Sequence, residues 1–236
     1  MPTVVLVRHG RTTANVSGVL AGRSPGVGLD DVGVAGAAAL AERLGSVQPA
    51  AVVSSPLERC VQTATAIAAG RGPAFDVGTD DGLTECDYGE WTGRSLADLR
   101  REKLWKVVQE HPSGVVFPGG ESLRAVQVRA VTAIRERDAE LARKHGAEAV
   151  WFAVSHADVI KAILADALGM HLDQFQRLVI DPCSVSVVSY TERRPFVLRV
   201  NDLGGDLGFL RSPARRRRRA SRSDAVVGGG AGDAAE

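Results

Sequence analysis

Four side chains suited to handling an anion recur at equivalent places along this chain. Arg8 and His9 directly follow the apolar run 4–7 (VVLV), Arg59 lies just past a second short apolar run, and His156 follows a third through Ser155. A guanidinium presents a fork of donors that matches phosphate geometry. A neutral imidazole can attack phosphorus and so split one difficult displacement into two easier ones. Each residue alone has an ordinary explanation, as a capping or core histidine or a solvated arginine. A cation on the first turn of a helix is disfavoured by the helix dipole, and makes better sense if an anion sits between it and the helix. Departure of an alkoxide also needs an acid. The segment 80–90 offers Asp80, Asp81, Glu85, Asp87 and Glu90, and residue type alone does not choose among them.

The elements that would position these groups are those of an α/β domain. Residues 4–7, 51–53 and 149–154 read as strands buried on both faces, since their apolar runs are continuous rather than alternating. Helices are expected over 33–44, from the capping box Ser55-Pro56-Leu57-Glu58 to about Ala69, from Ser95 to about Glu110, over 121–145 and over 158–168. Gly146 and Gly169 stop the last two. Residues 184–190 and 196–200, joined through Glu192-Arg193-Arg194-Pro195, form a hairpin-like pair. If the three buried strands are parallel neighbours, both arginines and both histidines meet at one crevice beyond the strand ends, where open sheets bind ligands.

Bulk composition narrows the function classes. With 236 residues, 44% hydrophobic and 24% charged, the chain has room for one sizeable domain plus a tail. The opening MPTVVLV meets charge too early for a signal peptide, and no apolar run approaches the roughly 20 residues of a membrane span. Cys60, Cys86 and Cys183 form no CxxC pair, so they read as buried, reduced thiols of a cytoplasmic protein. The net charge of +1 conceals an asymmetry, because residues 211–236 carry seven arginines against three acidic residues and leave the body at about −3. An acidic body excludes a general nucleic-acid binder. The sequence therefore divides into a domain over 1–210 and a basic, Gly/Ala-rich tail over 211–236. The tail has no aromatic residue and is expected to stay disordered. Deleting it from Ser212 onward is expected to leave kcat/KM within about a factor of three.

The segments LVRHGRTTAN, SSPLERCVQTA, LTECDYGEWTG and VSHADVIKAIL, taken together and in order, resemble the histidine phosphatase superfamily, the phosphoglycerate mutase-like family. The resemblance covers roughly residues 3–200. It implies a three-layer α/β/α fold with a mostly parallel central sheet. It implies that His9 accepts the phosphoryl group, that Arg8, Arg59 and His156 surround it, and that Glu85 is the acid and base, with Asp87 the runner-up. It also places Asn15, Thr12 and Gly22 against phosphate or substrate. In this mechanism Arg8, Arg59 and a protonated His156 supply the positive charge that magnesium supplies in kinases.

The chain departs from the family pattern at Arg11, which adds a cation near the mouth, and at Ala21 and Ala157. Only 71 residues separate Glu85 from His156, an interval shorter than in the cofactor-dependent mutases, which favours a phosphatase. The expected partner is a small phosphorylated substrate, with no metal and no cofactor, a phosphorylated priming metabolite being needed only by a mutase. A homodimer is compatible with the sequence; membrane and nucleic-acid partners are not expected. Specificity is expected to lie in residues 11–30 and 86–120, with Trp91, Arg94 and Trp105 in the second stretch.

Overall fold

A computed structural model of the protein describes residues 2–69, 75–205 and 224–232. Its centre is a six-stranded sheet built from β1 (Thr3–Arg8), β2 (Val52–Ser54), β3 (Val77–Thr79), β4 (Val150–Ser155), β5 (Val185–Tyr190) and β6 (Pro195–Asp202). The strand order is β3-β2-β4-β1-β5-β6. The first four strands run parallel, while β5 and β6 add an antiparallel hairpin at one edge. Continuous apolar runs form the centre because both faces of these strands are covered.

The helices are α1 (Thr13–Ser17), α2 (Asp31–Arg43), α3 (Glu58–Ala69), α4 (Leu96–Leu99), α5 (Lys103–Glu110), α6 (Leu123–His145) and α7 (Ala157–Ala167). Alternate strand residues sort them into two layers. Val5, Val7, Val52, Phe152 and Val154 pack with Leu40 of α2 and with Cys60, Ala64 and Ile67 of α3. Val4, Leu6, Trp151 and Ala153 pack instead with α6 and α7, through residues such as Ile134, Ile160 and Ile163. The result is the expected α/β/α sandwich. Each such large apolar side chain, taken fully out of water, contributes about 1.5–3 kcal/mol.

Two local expectations need correction, and one strand was missed. The helix expected over residues 95–110 is two, α4 and α5, although Ser95 does cap the first by accepting from Asp98 N. Leu99 and Trp105 are both buried. Six residues apart on one continuous helix they would lie about 120° apart around the axis, and the break lets both face the core. The Ser55 hydroxyl accepts from Leu57 N at 3.3 Å but also lies 2.8 Å from His156 Nε2, and α3 begins only at Glu58. The edge strand β3 is too short and too exposed to have left an apolar signature.

Much of the tail over 211–236 lies outside the described residues, but residues 224–232 do not stand in solvent as its composition implied. Trp105 Nε1 donates to Asp224, Gln109 exchanges two hydrogen bonds with the backbone of Ala225, and Val227 is buried. One apolar side chain inserted into an existing core suffices to anchor a stretch that could not fold alone. All three cysteines are free, with Cys60 and Cys86 buried and Cys183 partly so. Among the described residues no helix is long and apolar enough to cross a membrane.

Candidate active site

Because β1, β4 and β2 are adjacent and parallel, their C-terminal ends open on one edge of the sheet. Arg8 pairs in register with Ser155, and His9 N donates to Ser155 O at 3.0 Å. The rings of His9 and His156 consequently lie 5.2 Å apart between centroids. Arg59 enters from α3 and Glu85 from the loop after β3. Arg8, His9, Arg59, Glu85 and His156 are each at most 3% exposed.

Hydrogen bonds define the tautomers. His9 Nδ1 lies 2.7 Å from Gly10 O, and a carbonyl only accepts, so Nδ1 carries the proton and Nε2 keeps its lone pair. Burial, followed by the charges of Arg59 and Arg8, holds the His9 pKa well below the ordinary histidine value. The ring is therefore neutral, as a nucleophile requires. His156 Nδ1 accepts from Arg59 Nη2 at 3.2 Å, which leaves its Nε2–H to donate to Ser55 Oγ. Burial and the same arginines also push the His156 pKa well down. Burial first, and then these cations, thus disfavour the protonated His156 that the sequence led one to expect.

The guanidinium groups are incompletely paired. Arg8 Nη1 donates to Ile180 O and Arg59 Nη2 to Gly22 O, each at 2.8 Å. Arg8 Nε, Arg8 Nη2 and Arg59 Nη1 are buried with no hydrogen-bond partner among the described residues. Buried donors on a cation are costly to leave unsatisfied, so this arrangement suits an anion with several acceptor oxygens. Burial lowers the Arg8 pKa only to about 10, and the group stays charged at neutral pH.

Glu85 has the opposite perturbation. Burial, helped by the nearby Asp158 carboxylate, raises its pKa to about 7 against the pull of Arg59 and a hydrogen bond from Cys86 N. An acid poised there can both give and take a proton near neutrality. Asp87, the runner-up, accepts from Gly89 N in its own turn and does not line the cavity. Asp158 was missed by the sequence reading. It accepts from Tyr88 Oη at 2.8 Å and lies 3.3 Å from Lys161 Nζ. Its place two residues after His156 was the only available signal.

Thr12, Asn15 and Gly22 line the same cavity as His9, Arg59 and Glu85. Thr12 and Asn15 form a capping box on α1 in which the Asn15 Oδ1 accepts from Thr12. That use leaves the Asn15 amide nitrogen as the donor for an anion. Gly22 has φ +52°, and a Cβ there would lie 2.8 Å from Thr92 Oγ1. Its main service is its carbonyl, which orients Arg59. Arg11 does not add a free cation at the mouth, because Asp30 pairs with it at 2.9 Å. Of the two stretches expected to set specificity, 11–30 supplies much of the wall, and 86–120 supplies Leu96. Trp91 and Trp105 stack in the core at 6.2 Å, and Arg94 pairs with Glu102. Among the described residues no group of three or more His, Cys, Asp or Glu is placed to hold a metal ion.

Residues 4–203 match the histidine phosphatase superfamily (branch 1). Among curated relatives, the Bifunctional protein Rv2228c of Mycobacterium tuberculosis is 36% identical over 207 residues, covering 85% of this chain and 54% of that protein. The chain thus spans about half the length of the first relatives it matches. Phosphoserine phosphatase 1 of Hydrogenobacter thermophilus is 31% identical, over 85% of this chain and 92% of its own. The probable phosphoglycerate mutase GpmB of Proteus mirabilis is 33% identical, over 89% and 95%. Among solved structures, a mycobacterial glucosyl-3-phosphoglycerate phosphatase superposes with a TM-score of 0.75 at 26% identity, covering 84% of this chain and 98% of that one.

Proposed function

Since the chain belongs to the histidine phosphatase superfamily, we propose that it is a metal-independent phosphomonoesterase acting on small phosphorylated metabolites through a phosphohistidine on His9. The observation that carries this reading is the set of three partnerless guanidinium donors, on Arg8 and Arg59, beside a neutral imidazole whose Nε2 is free. These donors meet the equatorial oxygens of a phosphoryl group, and the Asn15 amide nitrogen, oriented by Thr12, completes the cradle. His9 Nε2 attacks phosphorus as the ester P–O bond breaks, and Glu85 gives its proton to the departing oxygen. The Glu85 carboxylate then takes a proton from water as that water attacks the phosphohistidine. His156 orients Arg59 through Nδ1, and the arriving negative charge opposes the cations that keep its ring neutral.

The similarity to GpmB favours a second reading, a phosphomutase, in which the phosphoryl group passes to a second hydroxyl and a phosphorylated metabolite primes the enzyme. A panel of phosphorylated metabolites separates the two. The expected result is release of inorganic phosphate at a rate that EDTA does not change. Isomerised ester without phosphate release would establish the mutase. Loss of activity in EDTA, restored by zinc or magnesium, would overturn the mechanism, because the arginines would then not suffice for charge stabilisation.

A further inference from the structure

The chain's own C-terminal segment lies across the site. Residues 226–230 line the cavity that contains His9, Arg59 and Glu85, facing Ala14, Val19 and Leu20. Val227 is 1% exposed within the main apolar core, and Gly228 N donates to Asp158 Oδ2 at 2.9 Å. Gly229 rests on the Arg8 guanidinium: a Cβ on it would lie 2.8 Å from Arg8 Cζ and 2.5 Å from the Ala157 Cβ. Consecutive glycines at 228–230 permit this approach, with φ of +74° and +73° at the first two. The cavity that remains measures about 40 Å³. A single water needs roughly 10–15 Å³ on this scale, and metabolite sites commonly run to about 300–1,000 Å³. The enclosed space admits little beyond a phosphoryl-sized group, and the segment occupies part of the wall on which the alcohol of a phosphomonoester would rest.

Among the described residues the segment's attachments are few. One valine is inserted, and the polar links run from Trp105 to Asp224, from Gln109 to Ala225 and from Gly228 to Asp158. We propose that residues 224–232 form an autoinhibitory strap that fills the leaving-group side of this site and must be displaced before a phosphomonoester can bind. The proposal rests on the reading of the cavity as a phosphomonoester site, and it revises the view of the tail as dispensable. Substrate and strap compete for one volume, so the apparent affinity is the intrinsic affinity reduced by the open fraction. Chemistry, once substrate is bound, is unaffected.

The test compares the full chain with one ending at residue 223, and with full-length Gln109→Ala, which loosens the strap should truncation impair folding. For p-nitrophenyl phosphate, kcat/KM is expected to rise tenfold or more through KM, with kcat within about twofold. The peptide of residues 224–236, added to the truncated chain, is expected to inhibit competitively. An unchanged or lower kcat/KM in both variants would overturn the strap, a lower one showing that the segment builds the site instead. A turnover-free arm separates this outcome from failure of the proposed activity. Benzylphosphonate, which has no ester bond to cleave, is titrated calorimetrically against all three proteins. It is expected to bind the truncated chain and Gln109→Ala at least tenfold more tightly than the full chain, and to speed amide exchange at Gly228. Equal binding, or binding by none, would overturn the proposal. Tighter binding without turnover would overturn only the activity.

Discussion

The His9→Ala protein is expected to lose turnover of every phosphomonoester by about 10⁵–10⁶-fold, the scale seen when a covalent nucleophile is removed from a group acting as a unit. Nothing nearby can replace it. His156 has both ring nitrogens engaged, by Arg59 and Ser55. Burial raises the Cys60 thiol to about 12, so it is no thiolate at neutral pH. The guanidinium donors survive the substitution, so inorganic phosphate should still bind and raise the melting temperature. Wild-type enzyme quenched in detergent at alkaline pH should carry phosphate that survives base and is lost on later acid treatment, and the variant none. Near wild-type turnover by His9→Ala would remove the phosphohistidine from the mechanism.

Glu85→Gln keeps the shape of the acid but cannot deliver a proton, so its cost should depend on the leaving group. An alkyl phosphate must be protonated as it departs, and its kcat/KM should fall about 10²–10⁴-fold. A p-nitrophenolate leaves unaided, so its kcat/KM should change far less, since this parameter reports the first step even when water attack becomes limiting. Labelled phosphoenzyme should then accumulate in the variant. The pH profile gives a second readout. In the proposed mechanism the free enzyme must have Glu85 protonated, and burial first, then Asp158, raise its pKa to about 7. The kcat/KM for an alkyl ester should therefore decline as pH rises through about 7, by tenfold per unit beyond it, and the variant should lack that limb. Equal losses on both esters would move the acid elsewhere, and Asp87 would be tested next.

The clustering of the candidate site residues was legible in the sequence because it is written in local order. An apolar run followed at once by Arg8-His9 places both side chains at a strand end, and the same holds for Ser155-His156. Buried parallel strands show as unbroken apolar runs, so the architecture could be read without any knowledge of strand order. Glu85 was different: it is one carboxyl among five in residues 80–90, and only the family resemblance singled it out. The fold separates it from Asp80 and Asp87, whose carboxylates accept from their own turns. Burial beside Asp158, a neighbour 73 positions away in sequence, then gives Glu85 its raised pKa. The same holds for charge. Sequence counted Arg11 as a free cation and His156 as an imidazolium, whereas Asp30 pairs with the first, and burial, then the neighbouring arginines, push the pKa of the second down. Composition also described residues 224–232 as too polar and small to order, which is true of the isolated segment. Only the tertiary structure supplies the apolar slot for Val227 and the Asp158 carboxylate for Gly228, because a segment with no core of its own takes its conformation from the surface that receives it.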